Sequence, residues 1–102
     1  MKAALSRTAT RDFLAVVDSI NLESRRAASK FTDEVEDALI RIGRHPQIGA
    51  ERRELADPPV RFWTLQRYPY VMIYDAAASP PSILRILHGS RDLPELLSGL
   101  RT

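Results

Sequence analysis

The chain has 102 residues, is 44% hydrophobic and 27% charged, and carries a formal net charge of +2. These values describe one ordinary globular domain over residues 1–102, not a disordered chain, and a charge this small gives no whole-molecule pull towards nucleic acid. Cysteine is absent, which excludes disulfides, thiolate metal sites and cysteine nucleophiles and fits a reducing cytosol.

The opening MKAALSRTATRDF is interrupted by Arg7, Arg11 and Asp12, so it does not read as a signal peptide. No apolar run reaches bilayer length. Lys2 to Ser6 reads as a short strand. A first helix is expected from Thr8 to Ile20, where Ala9, Phe13, Val16, Val17 and Ile20 fall on one face. Asn21-Leu22 reads as the turn. A second helix is expected from Glu23 to Ile42, with Ala27, Ala28, Phe31, Val35, Ala38, Leu39 and Ile42 as its apolar stripe. Gly43 and Pro46 end it. So short a link predicts an antiparallel helical hairpin.

Gln47 to Pro59 is a polar loop that contains Arg52-Arg53 and Glu54-Leu55. Strands are expected at Val60–Gln66, Tyr68–Asp75 and Ile83–Leu87, with residues 76–82 as a turn. Three consecutive strands with short links predict an antiparallel meander. Gly89 then breaks the chain. Asp92, Pro94 and Glu95 carry the signature of a helix start, and Leu96, Leu97 and Leu100 give that helix an apolar stripe. The predicted order is β-α-α-β-β-β-α, an α+β fold in which an antiparallel sheet packs on a helical hairpin.

Side chains alternate between the faces of a strand. The expected helix-facing set is Trp63, Leu65, Tyr70, Met72, Tyr74, Leu84 and Ile86. The opposite face receives Phe62, Val71, Ile73, Ile83 and Leu87, with Thr64 and Arg85 among them. One hairpin covers one face, so the second is expected to be an apolar patch open to a protein partner. His88, Gly89, Arg91 and Asp92 form a strand-to-helix corner. A His beside an Asp has the makings of a general base, but at such a corner the reading favoured here is structural. His45 and His88 lie far apart, with no ligand spacing, so neither a metal site nor a cofactor is expected.

The stretch ILRILHGSRDLPELL, from Ile83 to Leu97, resembles the ParE/RelE superfamily of bacterial toxins, and within it the ParE branch. The run Pro46, Ile48, Gly49, Arg52, Glu54, Leu55 resembles the way such chains leave their second helix, and the element order matches over essentially the whole chain. The resemblance implies a cytoplasmic toxin of a type II toxin–antitoxin, or plasmid stabilisation, system. Such a toxin inhibits DNA gyrase, is neutralised by a cognate ParD-like antitoxin in a hetero-oligomer, and meets operator DNA only through that complex. On this reading Phe62, Val71, Ile73, Ile83, Arg85 and Leu87 form the antitoxin-binding face.

The RelE branch implies an mRNA endoribonuclease instead. It places cations on the second and third strands, an Arg after the glycine corner, and a Tyr or His in the last segment. Here those places hold Phe62 and Thr64, Val71, and Leu97, and Arg91 alone matches. The alternative nuclease set is a rearranged one: Arg61, Arg85, His88 and Arg91. A third reading is an inactive homologue that only binds antitoxin and represses its own operon.

Overall fold

The computed structural model describes residues 1–93. The elements are β1 (Ala4–Leu5), α1 (Arg7–Glu23), α2 (Arg25–Arg44), β2 (Val60–Thr64), β3 (Tyr70–Asp75) and β4 (Ser82–His88). They form a helical hairpin packed on one face of a four-stranded sheet of order β1-β4-β3-β2. The meander β2-β3-β4 is antiparallel, as expected. β1 adds to it parallel to β4, so the sheet is mixed. Of the expected last helix, Leu93–Leu100, only Leu93 falls within the described residues.

Both helices start on a serine whose hydroxyl accepts an otherwise unpaired amide. Ser6 Oγ takes the Ala9 N–H and Ser24 Oγ takes the Ala27 N–H, each at 3.1 Å. Ser24 also ends α1, donating its own N–H to Ile20 O at 2.9 Å. The turn expected at Asn21-Leu22 is therefore helical, and the hairpin bends at one residue that serves both helices. Arg41 and Arg44 stand in the last turn of α2, where cations complement the helix dipole.

The main core lies between hairpin and sheet. Phe31, fully buried, stacks on Phe13 at 5.9 Å and meets the edges of Tyr68 and Tyr70 at 5.4 and 5.7 Å. Val35, Ala38, Leu39, Ile42, Leu65, Met72, Tyr74, Ile83 and Ile86 complete it. At Gly43 an added Cβ would collide with the carbonyl oxygen of Met1, so glycine is what lets the N-terminal segment lie against α2. Ala3 then donates to Leu39 O at 2.9 Å, and that contact places β1.

The strand alternation holds, with one correction. A bulge between Ile73 and Tyr74 shifts the register, so Tyr74 pairs with Ile83. A one-residue slip exchanges the faces. Ile83, expected on the second face, is fully buried in the main core, while Leu84, expected in that core, is 36% exposed.

β1 covers β4 only at Ser82 and Ile83, which leaves an edge beyond. Side chains occupy it. Ser6 Oγ donates to Leu84 O at 3.2 Å, and Asp12 accepts the Ile86 N–H at 3.0 Å. The same carboxylate takes both nitrogens of the Arg85 fork at 2.8 and 3.2 Å. An edge sealed this way offers no ladder to a stray strand. Asp12→Ala would strip three hydrogen bonds from a carboxylate that is only 16% exposed. The expected loss is about 1–3 kcal/mol, read as a lower urea midpoint with unchanged slope. An unaltered midpoint would mean that water replaces Asp12 without cost.

Candidate functional site

The second face of the sheet is where the sequence placed a partner surface, and the structure closes it. Phe62, Val71, Ile73 and Leu87 do share that face, but they form a second buried cluster with Leu55 and Leu93. Leu55 comes from the long loop between α2 and β2, and Ala56 and Val60 pack beside it. The guanidinium of Arg52 lies over the Phe62 ring, 5.8 Å from its centroid. Four residues expected to be open are thus 4–6% exposed. Ile83 belongs to the other core, and Arg85 is not an isolated cation, because Asp12 holds it. That pairing pushes the Arg85 pKa further above its ordinary value and keeps the group charged, against the opposing effect of partial burial.

The covering loop is tied down at a second node. The Tyr74 hydroxyl, at the far side of β3, donates to Pro46 O at 2.6 Å and accepts the Gly49 N–H at 2.8 Å. Gly49 is needed there, since a Cβ would stand 2.7 Å from the Tyr74 ring and hydroxyl. Arg61 donates to Gln47 O at 3.2 Å and Gly49 O at 2.8 Å, and pairs with Glu51 at 3.1 Å. Ala50 and Phe62 then exchange two backbone hydrogen bonds of 2.8 Å, which shields the outer edge of β2. Nothing in the local sequence marks Tyr74 as the anchor of a loop 25 residues before it. The Ile48-Gly49 pair is the one visible trace.

Burial pushes the Tyr74 hydroxyl above its ordinary 10.0, partly offset by the Gly49 amide and Arg61. The unfolded chain gives up this proton near pH 10.0, whereas the folded chain holds it. The folded state then binds more protons, so the stabilisation is complete below that pH and is lost as pH rises through the folded value. We expect wild-type stability to fall above pH 10.0 more steeply than that of Tyr74→Phe, measured by urea titrations along a pH series. Parallel slopes would contradict the assignment.

The corner after β4 is a local structural unit. His88 Nδ1 accepts the Ser90 and Arg91 amides, each at 3.2 Å, with Ser90 Oγ at 3.1 Å. This set makes Nδ1 an acceptor and puts the proton on Nε2. The ring meets the edge of Tyr70 at 5.4 Å. Asp92 Oδ2 accepts the His88 backbone N–H at 2.8 Å, and the Asp92 N–H returns to His88 O at 2.9 Å. Asp92 thus binds the backbone of His88 and does not orient its imidazole. Gly89 donates to Pro69 O at 2.8 Å, and Arg91 faces solvent.

The alternative nuclease set is not brought together. Arg61 pairs in register with Tyr74 on β3 and Arg85 with Ile73, so they leave from opposite faces on strands that flank β3. Both guanidinium groups are engaged elsewhere, and the His88 nitrogen nearest the corner is occupied. Among the described residues no three His, Cys, Asp or Glu side chains cluster as a metal site, and no helix is long and apolar enough to cross a membrane. A groove of about 410 Å3 along α2, beside Trp63 and Arg67, is lined by charges of both signs. Asp37 pairs with Arg41 at 3.0 Å, and Glu34 accepts the Gln66 and Arg67 amides at 2.5 and 3.2 Å.

A helical hairpin on one face of a mixed four-stranded sheet defines a small α+β domain. The family model described as the ParE toxin of type II toxin–antitoxin system, parDE, matches residues 3–93, and the chain belongs to that family. Among solved structures it is similar to a protein of the chromosomal ParDE TA system from P. aeruginosa, at 26% identity and a TM-score of 0.69, over 86% of this chain and 95% of that one. No curated protein matches the sequence.

Proposed function

We propose that this ParE-family toxin acts in the bacterial cytoplasm by binding DNA gyrase, with no chemical step of its own, and that a ParD-like antitoxin neutralises it. One observation carries the choice against nucleolysis. A phosphodiester transition state gathers negative charge and needs cations aimed at it. The face on which the RelE branch works is here the buried apolar cluster of Leu55, Phe62, Val71, Ile73, Leu87 and Leu93. An antitoxin segment that reaches Phe62, Val71, Ile73 and Leu87 must first lift Leu55 and Leu93 from them, and Ile83 lies beyond its reach on the other side of the sheet.

Expression of the chain without an antitoxin tests the choice. The proposal expects arrested growth with DNA damage and intact message. Cleaved message without DNA damage supports the nuclease reading. Unaffected growth, by a chain that binds the antitoxin when the two are mixed after purification, supports the inactive homologue.

A further inference from the structure

The outer face of α1 has no partner in the fold, and its charges are arranged for a copy of itself. Ala9, Phe13, Val16, Val17 and Ile20 turn inward to the main core. Arg7, Arg11, Leu14, Ala15, Asp18 and Leu22 are all exposed and fall, at 3.6 residues per turn, within about 100° of arc on the opposite side. Leu14 is 53% and Leu22 90% exposed. Neither Arg11 nor Asp18 forms an ion pair among the described residues, although other charges of the hairpin do.

We infer that this stripe joins two copies of the chain through antiparallel α1 helices about a two-fold axis between Leu14 and Ala15. A two-fold contact must be self-complementary, residue for residue. This axis meets that condition. It sets Arg11 against the partner's Asp18, and Asp18 against the partner's Arg11. Leu14 and Ala15 pack on the partner's Ala15 and Leu14 at the centre. Arg7 lies opposite the partner's Leu22, where its aliphatic stem covers an otherwise bare leucine while its charge stays in water. A pair made by one helix from each subunit buries less than a standard interface, so the dimer is weak and reversible. The inference is independent of what the toxin acts on.

The two-fold makes an experiment possible that no unrelated contact would pass. Arg11→Asp puts two carboxylates opposite each other at both ends of the stripe, and Asp18→Arg puts two guanidinium groups there. Each variant alone should be monomeric in sedimentation velocity, at concentrations where the wild-type chain is partly dimeric. Mixed in equal amounts, they should form a heterodimer, because every Asp then faces an Arg. The double variant Arg11→Asp/Asp18→Arg should regain the wild-type association constant to within about 3-fold, against a loss of about 10-fold or more in each single variant. Arg11 and Asp18 are both exposed, so circular dichroism should show folded protein throughout. Arg25→Asp, an exposed change on α2, controls for net charge and should leave association unchanged. A wild-type chain that stays monomeric to millimolar concentration overturns the inference. So does a mixture of the single variants that associates no better than either one alone.

Discussion

Ile73→Asp will unfold the protein about as thoroughly as Met72→Asp, although the two side chains point to opposite faces of β3. From strand alternation alone, Ile73 looked like a surface residue awaiting a partner. In the structure Ile73 is 4% exposed and Met72 0%. Each substitution puts a carboxylate where no donor waits for it. The group must either stay ionised without a partner or take up a proton at neutral pH, and both routes cost stability. A loss of about 3–5 kcal/mol is expected for each, comparable to breaking a buried pair. Domains of this size have only about 5–15 kcal/mol in all. Thermal melts of the two variants should therefore both move down by more than about 10 °C. If Ile73→Asp melts near wild type while Met72→Asp collapses, Leu55 and Leu93 do not seal the second face.

Phe31→Ala should cost about 3–5 kcal/mol, the usual range for a large aromatic taken from a packed core. The case for the upper part of that range is specific. Phe31 has no exposed surface and touches three rings, Phe13 on α1 and Tyr68 and Tyr70 at the start of β3. Its loss removes the contact through which α1, α2 and the start of β3 meet. The Tyr68 hydroxyl, which donates to Ala27 O at 3.1 Å, would also lose the packing that positions it. Leu22→Ala, by contrast, alters a residue that is 90% exposed. At concentrations where the chain is monomeric it should move stability by less than about 0.5 kcal/mol. A small Phe31→Ala effect in chemical denaturation would mean that the core repacks around the gap.

The parts of the fold that were legible were those encoded in neighbouring residues. Both helix stripes were readable because Ala9 to Ile20 and Ala27 to Ile42 repeat at the helical period. The meander was readable from three β-rich runs with short links. Ser24 went unread as the hinge because Asn21-Leu22 looks more like a turn, yet Ser24 alone both closes one helix and caps the next. The bulge at Ile73/Tyr74 left no local mark. It is set by how β3 and β4 pair, and it exchanged the expected places of Ile83 and Leu84. Contacts between distant segments were the least legible. Leu55 sits in a loop of polar residues, and nothing near it announces that it roofs Phe62 and Ile73. Asp12 and Arg85 stand 73 positions apart. Arg85 therefore read as a lone cation on an apolar face, when it is held at the sheet edge.

The second face of the sheet is apolar and closed, a buried cluster of Leu55, Phe62, Val71, Ile73, Leu87 and Leu93. Two of the three candidate cations have structural partners: Arg61 fastens the loop that Gly49 and Tyr74 hold, and Arg85 joins α1 to β4, while Arg91 faces solvent. His88 shapes the corner that leads to Leu93.

The most direct test uses the purified chain on both candidate targets in parallel. Gyrase supercoiling of relaxed plasmid should be inhibited in proportion to added protein and restored by the cognate antitoxin, while mRNA on translating ribosomes stays intact. Codon-dependent cleavage of ribosome-bound mRNA, abolished by Arg91→Ala while supercoiling proceeds unimpeded, would rule out gyrase as the target.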